Sequence, residues 1–385
     1  MSPNHSDPSE LSFELPPELT PGAQTRMAEL RHGIDAIDQE LLATLNRRAA
    51  LSLEVGRIKR DSRDIIFKPF REKELLASLT AANPGPLPEE HLRNIYREIL
   101  SSSRRLQRPQ TIVYLGPEGT FSYFAGVEYL GHSAEFQPKP TLHEVFQAVV
   151  AREAELGVIP LENSLQGTVG QSLDLFLQFE VHVQAEIYCK ISHALLSTAR
   201  QLADVTTVYS HPQALEQCST WLRTHLPMAR IVPAESTAAA GRRVLEEPGS
   251  AAIGHVRMGR MLGLTALARR IEDQPDNWTR FLVIGSLPAG AGNQDKTSIL
   301  FTLPDKPGAL AAVLNLLARE GINMKKLESR PFRGEKWKYV FFVDLECDVS
   351  RQEYQQVLTD LRNNCHTLRI LGSYPSGPYL DVSEG

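Results

Sequence analysis

Apolar residues near the start of the chain recur mostly at steps of three and four, the spacing of one face of an α-helix. The series is Met27, Leu30, Ile34, Ile37, Leu41, Leu45, Leu51, Val55 and Ile58. It predicts a helix of about 37 residues, roughly 55 Å long. Helical patterns at 70–82 and 89–107 complete an all-α module over residues 24–108. Because a module of this size cannot bury so long a helix, we expect a second copy of the chain to cover it.

Beyond the linker QRPQ at 107–110, short apolar runs alternate with helical periodicity. Runs such as TIVYLG, LGVIPL and RFLVIG are typical of buried strands. This alternation predicts an α/β domain with a largely parallel sheet over residues 111–286. Thr141 with Glu144 forms a capping box at one predicted helix start, and Ser210 precedes Pro212 at another.

A second linker, GSLPAGAGNQD at 285–295, precedes a last module over residues 297–385. A strand follows its Gly-Ala-Gly, so the linker does not indicate a dinucleotide-binding loop. The sequence pattern of this module predicts the order βαββαβ, which is that of the α+β ferredoxin-like fold. Its expected elements are strand 297–303, helix 308–320, strand 322–330, strand 337–346, helix 350–363 and strand 367–373.

Composition narrows the function classes. The 385 residues carry a net charge of −5, which does not favour a nucleic-acid partner. The four cysteines form no CxxC pair and no metal-ligand cluster, so we expect a reducing, cytoplasmic environment and no metal. Residues 1–23 contain neither Lys or Arg nor an apolar run, and they predict a disordered tail instead of a signal peptide or membrane span.

Some cations of the helical module fall on its apolar face, where they could bind an anionic ligand. Arg48 falls on the apolar stripe, and Lys59 lies eleven residues further along the same face. A buried cation needs an anion, so Arg71, Ser103 and Gln107 could complete a polar interior around a ligand. The alternative is that these are the solvated charges of long helices, and spacing alone favours that alternative.

The segments ELRHGIDAIDQELLATLNRR, LEVGRIK, REKELL and REILSSSRRLQ together resemble the AroQ-type chorismate mutase domain, over residues 26–107. The resemblance implies that Lys59 and Gln107 stabilise negative charge on the ether oxygen of chorismate as its bond stretches. One departure is Lys68, where the family often has Asp or another polar residue. The remaining implied residues contact the carboxylates, ring hydroxyl or other parts of the substrate: Arg48, Arg31, Arg71, Glu72 and Ser103.

Helix geometry adds a constraint on that implied site. Arg31 and Arg48 are 17 residues apart, which is about 25 Å along one helix. Both cannot reach one small substrate from the same chain. The intertwined dimer implied by the resemblance would supply Arg31 from the partner subunit.

Five motifs of the middle module resemble prephenate dehydratase over residues 111–286: GPEGTFS, GVIPLENSLQGTV, SHPQALEQC, ESTAAA and NWTRFLVIG. The resemblance implies two α/β lobes, like a type II periplasmic binding protein, with a cleft between them. It also implies that the Thr279 hydroxyl assists the leaving hydroxyl as carbon dioxide departs. The substrate-binding residues implied are Glu162, Asn163, Ser164, Ser210, Gln217 and Arg280.

Simpler structural roles remain open for several of these residues. Ser210 could serve only as a helix cap, and Asn163 and Ser164 could be plain turn residues. Glu162 could be a solvated strand end. His211 is expected to be a local hydrogen-bonding residue instead of a base.

LPDKPGALAAVL and LESRPF resemble the ACT domain, over residues 297–380. The resemblance implies that phenylalanine binds at an interface between two such modules, where amide donors at a helix start suit its carboxylate. Ordinary turn and edge-strand chemistry explains both motifs equally well. The implied effector residues are Gly308, Ala309 and Leu310 at the helix start, and Glu328, Ser329, Arg330 and Pro331 on the neighbouring strand.

Together the resemblances predict a multidomain enzyme of phenylalanine biosynthesis with chorismate mutase and prephenate dehydratase activities. We expect feedback by phenylalanine, a homodimer or larger assembly, no cofactor, and no nucleic-acid or membrane partner. An arogenate-preferring dehydratase and a ligand sensor without catalysis are the alternatives. A prephenate dehydrogenase is disfavoured because the sequence has no strand–GxGxxG–helix unit.

Overall fold

The computed structural model describes residues 20–59, 65–290, 292, 295–331 and 339–381. The chain divides into two units, residues 1–55 and 56–385. Most of the predicted N-terminal tail lies outside the described residues. Its last residues are helical, however, because the first helix already begins at Pro21.

The predicted long helix is confirmed as α1 (Pro21–Lys59), 39 residues in length. Its apolar stripe is exposed in the single chain: Ile34, Ile37 and Leu51 keep 57%, 64% and 64% of their surface accessible. The stripe therefore contributes little burial within one chain. No helix among the described residues is both long and apolar enough to cross a membrane.

Two further helices confirm the rest of the helical pattern: α2 (Pro69–Ala82) and α3 (Glu89–Gln107). Charge complements the dipole of α3, which has two glutamates in its first turn and two arginines in its last. The end of α3 lies close to Gly56, in the last turn of α1. A Cβ added at Gly56 would lie 2.7 Å from the Cα of Gln107, so only glycine permits this approach.

The first lobe of the α/β region contains β1 (Thr111–Leu115), α4 (Phe121–Leu130), β2 (Glu135–Lys139), α5 (Leu142–Val150), β3 (Leu156–Asn163), β4 (Gly167–Thr168), α6 (Gly170–Gln178) and β5 (His182–Lys190). The second lobe contains β6 (Ala194–Ser197), β7 (Thr207–Ser210), α7 (Pro212–Gln217), α8 (Ser219–His225), β8 (Arg230–Pro233), α9 (Thr237–Val244), β9 (Ser250–Gly254), α10 (Val256–Leu262) and β10 (Thr265–Arg269). The chain then returns to the first lobe as β11 (Trp278–Gly285).

The C-terminal module confirms the βαββαβ order. Its sheet has the strand order β13-β14-β12-β15, with both helices packed on it. The predicted strand at 337–346 is described from residue 339 onward, its first two residues lying outside the described part. The elements are β12 (Lys296–Thr302), α11 (Ala309–Arg319), β13 (Met324–Pro331), β14 (Tyr339–Leu345), α12 (Gln355–Asn364) and β15 (Thr367–Tyr374), followed by a short strand, β16 (Tyr379–Leu380).

The two lobes are built on mixed sheets, which corrects the expectation of largely parallel ones. The first sheet has the order β16-β5-β11-β3-β1-β2, with β4 on β3, and the second has the order β10-β6-β9-β7-β8. In the first sheet the cause is the return of the chain: β11 enters the first lobe from the second and inserts antiparallel between β3 and β5. The chain therefore leaves the first lobe from β5 and returns to it as β11, and these two strands are adjacent in the first sheet. In the second sheet, β6 pairs antiparallel with both β9 and β10.

The C-terminal module shares a core with the first lobe. Leu282 of β11 belongs to the same buried cluster as Val340, Phe342 and Leu371 of the C-terminal sheet. The last strand, β16, then joins the first-lobe sheet parallel to β5. Gly377 precedes it, where a Cβ would lie 2.1 Å from the Glu186 carbonyl oxygen.

Both predicted helix starts are confirmed, as α5 and as α7 with Pro212 in its first turn, but their predicted caps had different outcomes. The Thr141 cap is confirmed, because the Glu144 amide donates to Thr141 Oγ1 at 3.2 Å. The Glu144 carboxylate accepts from the Thr141 hydroxyl at 2.9 Å instead of from its backbone amide, so the reciprocal half of the box differs from the prediction. The cap at Ser210 is wrong: its hydroxyl donates to the Ile253 carbonyl at 2.7 Å instead. His211 is the N-cap of α7, and its Nδ1 accepts from the Gln213 amide at 3.3 Å, a local role as expected.

Candidate functional sites

Thr279 lies at the start of β11, immediately after the chain crosses back from the second lobe. Its hydroxyl is 3.0 Å from Nδ2 of Asn163, the residue directly opposite it on β3. The same Nδ2 donates to Oδ1 of Asn277 at 2.7 Å. A hydroxyl and two amides therefore form a buried polar cluster at the junction of the lobes.

The orientation of the Asn163 amide is fixed by its own turn. Its Oδ1 accepts from the backbone amides of Leu165 and Gln166, each at 3.1 Å. Because that oxygen faces two donors, the nitrogen must face Thr279 and Asn277. Asn163 is therefore a turn residue through its Oδ1, as the simpler alternative held, and it also contacts Thr279 through its Nδ2.

Asn277 was not singled out from the sequence, although it lies within the NWTRF motif. It is fully buried, and its Nδ2 has no hydrogen-bond partner among the described residues. Its carbonyl accepts from the Ile191 amide at 2.8 Å, which ties together the two chain crossings between the lobes. Its position two residues before Thr279 could have indicated this, since alternate residues of an extended segment share a face.

Other predicted residues of this site lie around the same junction. Ser164 binds the crossing segment, with the Trp278 amide donating to its Oγ at 2.9 Å. Gln217 lies in the second lobe, where its Oε1 is 2.9 Å from Nε2 of His193. Ser210 is fully buried on the Ile253 carbonyl.

His193 is a second residue that the sequence analysis missed. Because an amide oxygen only accepts, the hydrogen bond to Gln217 places the proton on Nε2. The ring meets Phe121 of the first lobe edge-on, with centroids 5.5 Å apart. Burial lowers the pKa of His193 below its usual 6.5, although the bond to Gln217 acts to raise it. A polar residue inside the apolar run ISHALL was the available signal.

Glu162 and Arg280 do not join Thr279, contrary to expectation. They are cross-strand partners one residue away from the Asn163–Thr279 pair, and successive side chains of a strand point to opposite faces. Glu162 Oε1 is 2.8 Å from Nζ of Lys326 in the C-terminal module. Arg280 is buried against Glu186 and Asp344. The structure therefore brings both charges to the face that carries the C-terminal sheet.

The residues predicted for the helical module belong to both units of the chain. Arg31 is exposed and Arg48 half-buried in the first unit. The second unit holds Lys59 at the end of α1, Arg71, which is exposed, and Glu72, Ser103 and Gln107.

Within the second unit, Glu72 is bound by Arg104, with Nη1 and Oε1 2.5 Å apart. Arg104 is 5% exposed and also donates to the Leu130 carbonyl. This buried arginine was not predicted. The Ser103 hydroxyl donates to the Ile99 carbonyl at 2.8 Å within its own helix.

The two predicted effector motifs lie on different elements, the start of α11 and the strand β13. Gly308, with φ of +81°, is the N-cap of α11, and Ala309 and Leu310 form its first turn. The Glu328–Pro331 segment lies on the edge strand β13, which is separated from β12 by β14, so it is not on the neighbouring strand as expected. Glu328 accepts from Thr168 at 2.9 Å, and the Arg330 guanidinium lies against Gly170 and Asp174. Half of this motif therefore faces the first lobe.

Family comparisons agree with this three-part architecture. The chorismate mutase type II family model matches residues 30–108, prephenate dehydratase matches 112–289, and the ACT domain matches 297–363. A solved prephenate dehydratase from Arthrobacter aurescens, in complex with L-Phe, is 32% identical with a TM-score of 0.64. It covers 71% of this chain and 92% of its own.

Curated relatives extend the similarity over nearly the whole chain. A bifunctional chorismate mutase/prephenate dehydratase from Aquifex aeolicus is 40% identical, covering 91% of this chain and 98% of its own. The corresponding protein of Stutzerimonas stutzeri is 39% identical, with the same coverage of both chains. The fold is thus that of a prephenate dehydratase with a helical domain before it and an ACT domain after it. The chain belongs to the bifunctional chorismate mutase/prephenate dehydratase family.

The lowered pKa of His193 has a consequence for stability. Its folded pKa lies below the unfolded value, so its contribution is present above about pH 6.5 and is lost as pH falls. We expect the melting temperature of the protein to fall more steeply between about pH 7 and pH 5.5 than that of His193→Gln. Calorimetry across this range checks it, and parallel curves for the two proteins would contradict the burial of a neutral imidazole.

Proposed function

We propose that this protein rearranges chorismate to prephenate in its helical domain and converts prephenate to phenylpyruvate in its two-lobed domain. It thereby commits chorismate to phenylalanine biosynthesis in the cytoplasm, and phenylalanine bound to the ACT domain inhibits the second step. The observation that carries the proposal is the Asn163–Thr279 hydrogen bond at the junction of the lobes.

The dehydratase step needs help at one atom, the leaving oxygen. As the ring carboxylate leaves as carbon dioxide, its bonding electrons enter the ring and the hydroxyl departs as hydroxide, which becomes water after taking up a proton. A threonine hydroxyl has too high a pKa to be a free acid, but it can donate a hydrogen bond as charge develops on that oxygen. Thr279 is the proposed donor.

Asn163 is proposed to aim that donor. Its Nδ2 donates to a lone pair of Thr279 Oγ1, so the hydroxyl proton must point elsewhere. Asn277 holds the same nitrogen from the other side. The amides thus orient the hydroxyl before substrate arrives, and less reorganisation is left for the reaction itself.

Thr279→Ala should lower dehydratase turnover by about 10²- to 10⁴-fold, the usual range for a lost proton donor. Chorismate fed to this variant should accumulate as prephenate, because the mutase site lies in another domain. Thr279→Ser keeps the hydroxyl and should retain more activity. An equal fall of both activities in folded Thr279→Ala would contradict the two-site assignment.

Asn163→Asp tests the aiming role with almost no change of shape. A carboxylate oxygen in place of Nδ2 accepts from the Thr279 hydroxyl and turns its proton inward. We expect kcat for prephenate to fall on the order of 10²-fold while KM changes by only a few-fold. Unchanged kcat in steady-state assays would show that the amide does not direct the hydroxyl.

The mutase site is proposed to be shared between two subunits. The continuous helix α1 keeps Arg31 and Arg48 about 25 Å apart, so one substrate requires them from different chains. The exposed apolar stripe of α1 supports a second copy as its cover. Within the second unit, the bond from Arg104 holds the Glu72 carboxylate, which suits an acceptor for the ring hydroxyl.

Subunit complementation tests the shared site. Arg31→Ala and Arg48→Ala homodimers should both lose mutase activity, whereas a mixed heterodimer contains one site with both arginines intact. We therefore expect mutase turnover to reappear on subunit exchange, up to about half of the sites at most per heterodimer. Verified heterodimers without any recovery would exclude sharing.

A further inference from the structure

The strands that carry the proposed dehydratase residues have a second, charged face. A bulge in β3 between Pro160 and Glu162 shifts the register against β11. A bulge re-aims the side chains beside it. Glu162 consequently turns to the C-terminal sheet, while Asn163 turns to Thr279.

Lys326 of β13 is the partner of Glu162 on that face. Its Nζ is 2.8 Å from Glu162 Oε1 and donates to Thr168 Oγ1 at 2.7 Å. Thr168 in turn donates to Glu328 at 2.9 Å. Only 8% of the Lys326 side chain is exposed, so the ammonium depends on these oxygens, whereas the Glu162 side chain keeps 35% of its surface in contact with water.

The position of Lys326 along β13 determines which face of the strand contacts Glu162. It lies two residues before Glu328, so both side chains leave the same face of the strand. Leu327 and Ser329 alternate with them and are exposed, on the face open to other contacts. A ligand bound to this strand therefore acts on an element whose opposite face is tied to Glu162.

Arg280 provides a parallel connection on the neighbouring strand. Its Nε donates to Glu186 Oε2 at 2.7 Å within the first lobe, and Nη1 pairs with Asp344 of β14. Lys296 of β12 lies 2.8 Å from the same Glu186 oxygen. All four charges are at most 7% exposed, so they cannot exchange these partners for water.

We propose that Lys326 is a positioning residue for the dehydratase site. Phenylalanine bound to the ACT sheet would act on Lys326, Lys326 would act on its partner Glu162, and Glu162 would shift the adjacent residue Asn163. The inference rests on the proposed function, which supplies the reaction and the effector. A displacement of β13 must either carry Glu162 with it or leave two charges unpaired. Glu162 precedes Asn163 in the chain, so any such movement shifts the amide that aims Thr279.

Lys326→Met in the full-length protein tests the proposal, because it removes the charge and keeps the length of the side chain. Phenylalanine binding is measured by calorimetry, and dehydratase turnover of prephenate is measured across a phenylalanine titration. We expect binding within about threefold of the unaltered protein, but at least a fivefold loss of the inhibition ratio, the low end of typical coupling.

Lys325→Met is the matched control. Lys325 is the next residue of the same strand and forms its own pair with Glu346 at 3.0 Å, but that pair is exposed and lies within the ACT domain. The control should be inhibited like the unaltered protein. Lys326→Arg, which keeps the charge, should restore most of the inhibition.

Glu162→Gln removes the charge of the other partner of this pair, and it tests the proposal independently if Lys326→Met does not fold. It should weaken inhibition as Lys326→Met does, and the double variant should lose no more than either single one. Full inhibition of Lys326→Met or Glu162→Gln would overturn the proposal, as would a loss of phenylalanine binding that accounts for the lost inhibition. If the unaltered protein lacked dehydratase activity or its inhibition by phenylalanine, the proposed function itself would fail instead.

Discussion

A guanidinium buried between carboxylates of two domains constrains the whole C-terminal part of this protein. Arg280 is 4% exposed and requires both Glu186 of the first lobe and Asp344 of the ACT sheet. Loss of either domain would leave a charge without a partner in a dry interior, which is strongly destabilising. The shared apolar cluster around Leu282 and Phe342 adds to the same attachment. The dehydratase and ACT domains are therefore parts of one packed body and not modules on a flexible linker.

Because of this attachment, adjacent residues of the central strands face different parts of the protein. On β11, Thr279 faces the junction of the lobes and Arg280 faces the ACT sheet. On β3, the bulge gives Asn163 and Glu162 the same division. The two strands thus carry the proposed dehydratase residues on one side and the contacts with the ACT sheet on the other. The two sides are separated by the thickness of a single sheet.

Local patterns predicted the elements well, because periodicity of three to four or of two residues is a property of neighbouring positions. The long helix α1 and the βαββαβ module follow from it directly. The mixed sheets did not, since the return of β11 between β3 and β5 depends on strands far apart in sequence. A parallel sheet was the simplest reading of alternating strands and helices.

The site was predicted in part for the same reason. Motif resemblance located Thr279 and Asn163 as neighbours in function, and the structure brings them to hydrogen-bond distance. It could not tell which face Glu162 would occupy, because a one-residue bulge decides that face and leaves no sequence signature of its own. Arg104 escaped notice because its partners, Glu72 and the Leu130 carbonyl, belong to distant segments.

The final strand limits where this multidomain chain can be divided by engineering. After the ACT domain, β16 returns to lie beside β5, where Tyr379 stacks on Tyr188 with ring centroids 4.6 Å apart. An excision at the linker before Lys296 would thus strip the catalytic sheet of its outermost strand and expose an edge prone to aggregation. The helical region before the first lobe is also attached to it, since Phe67 belongs to the core of that lobe and Arg104 donates to the Leu130 carbonyl. Truncation or domain exchange in this chain should therefore treat the dehydratase and ACT regions as one unit.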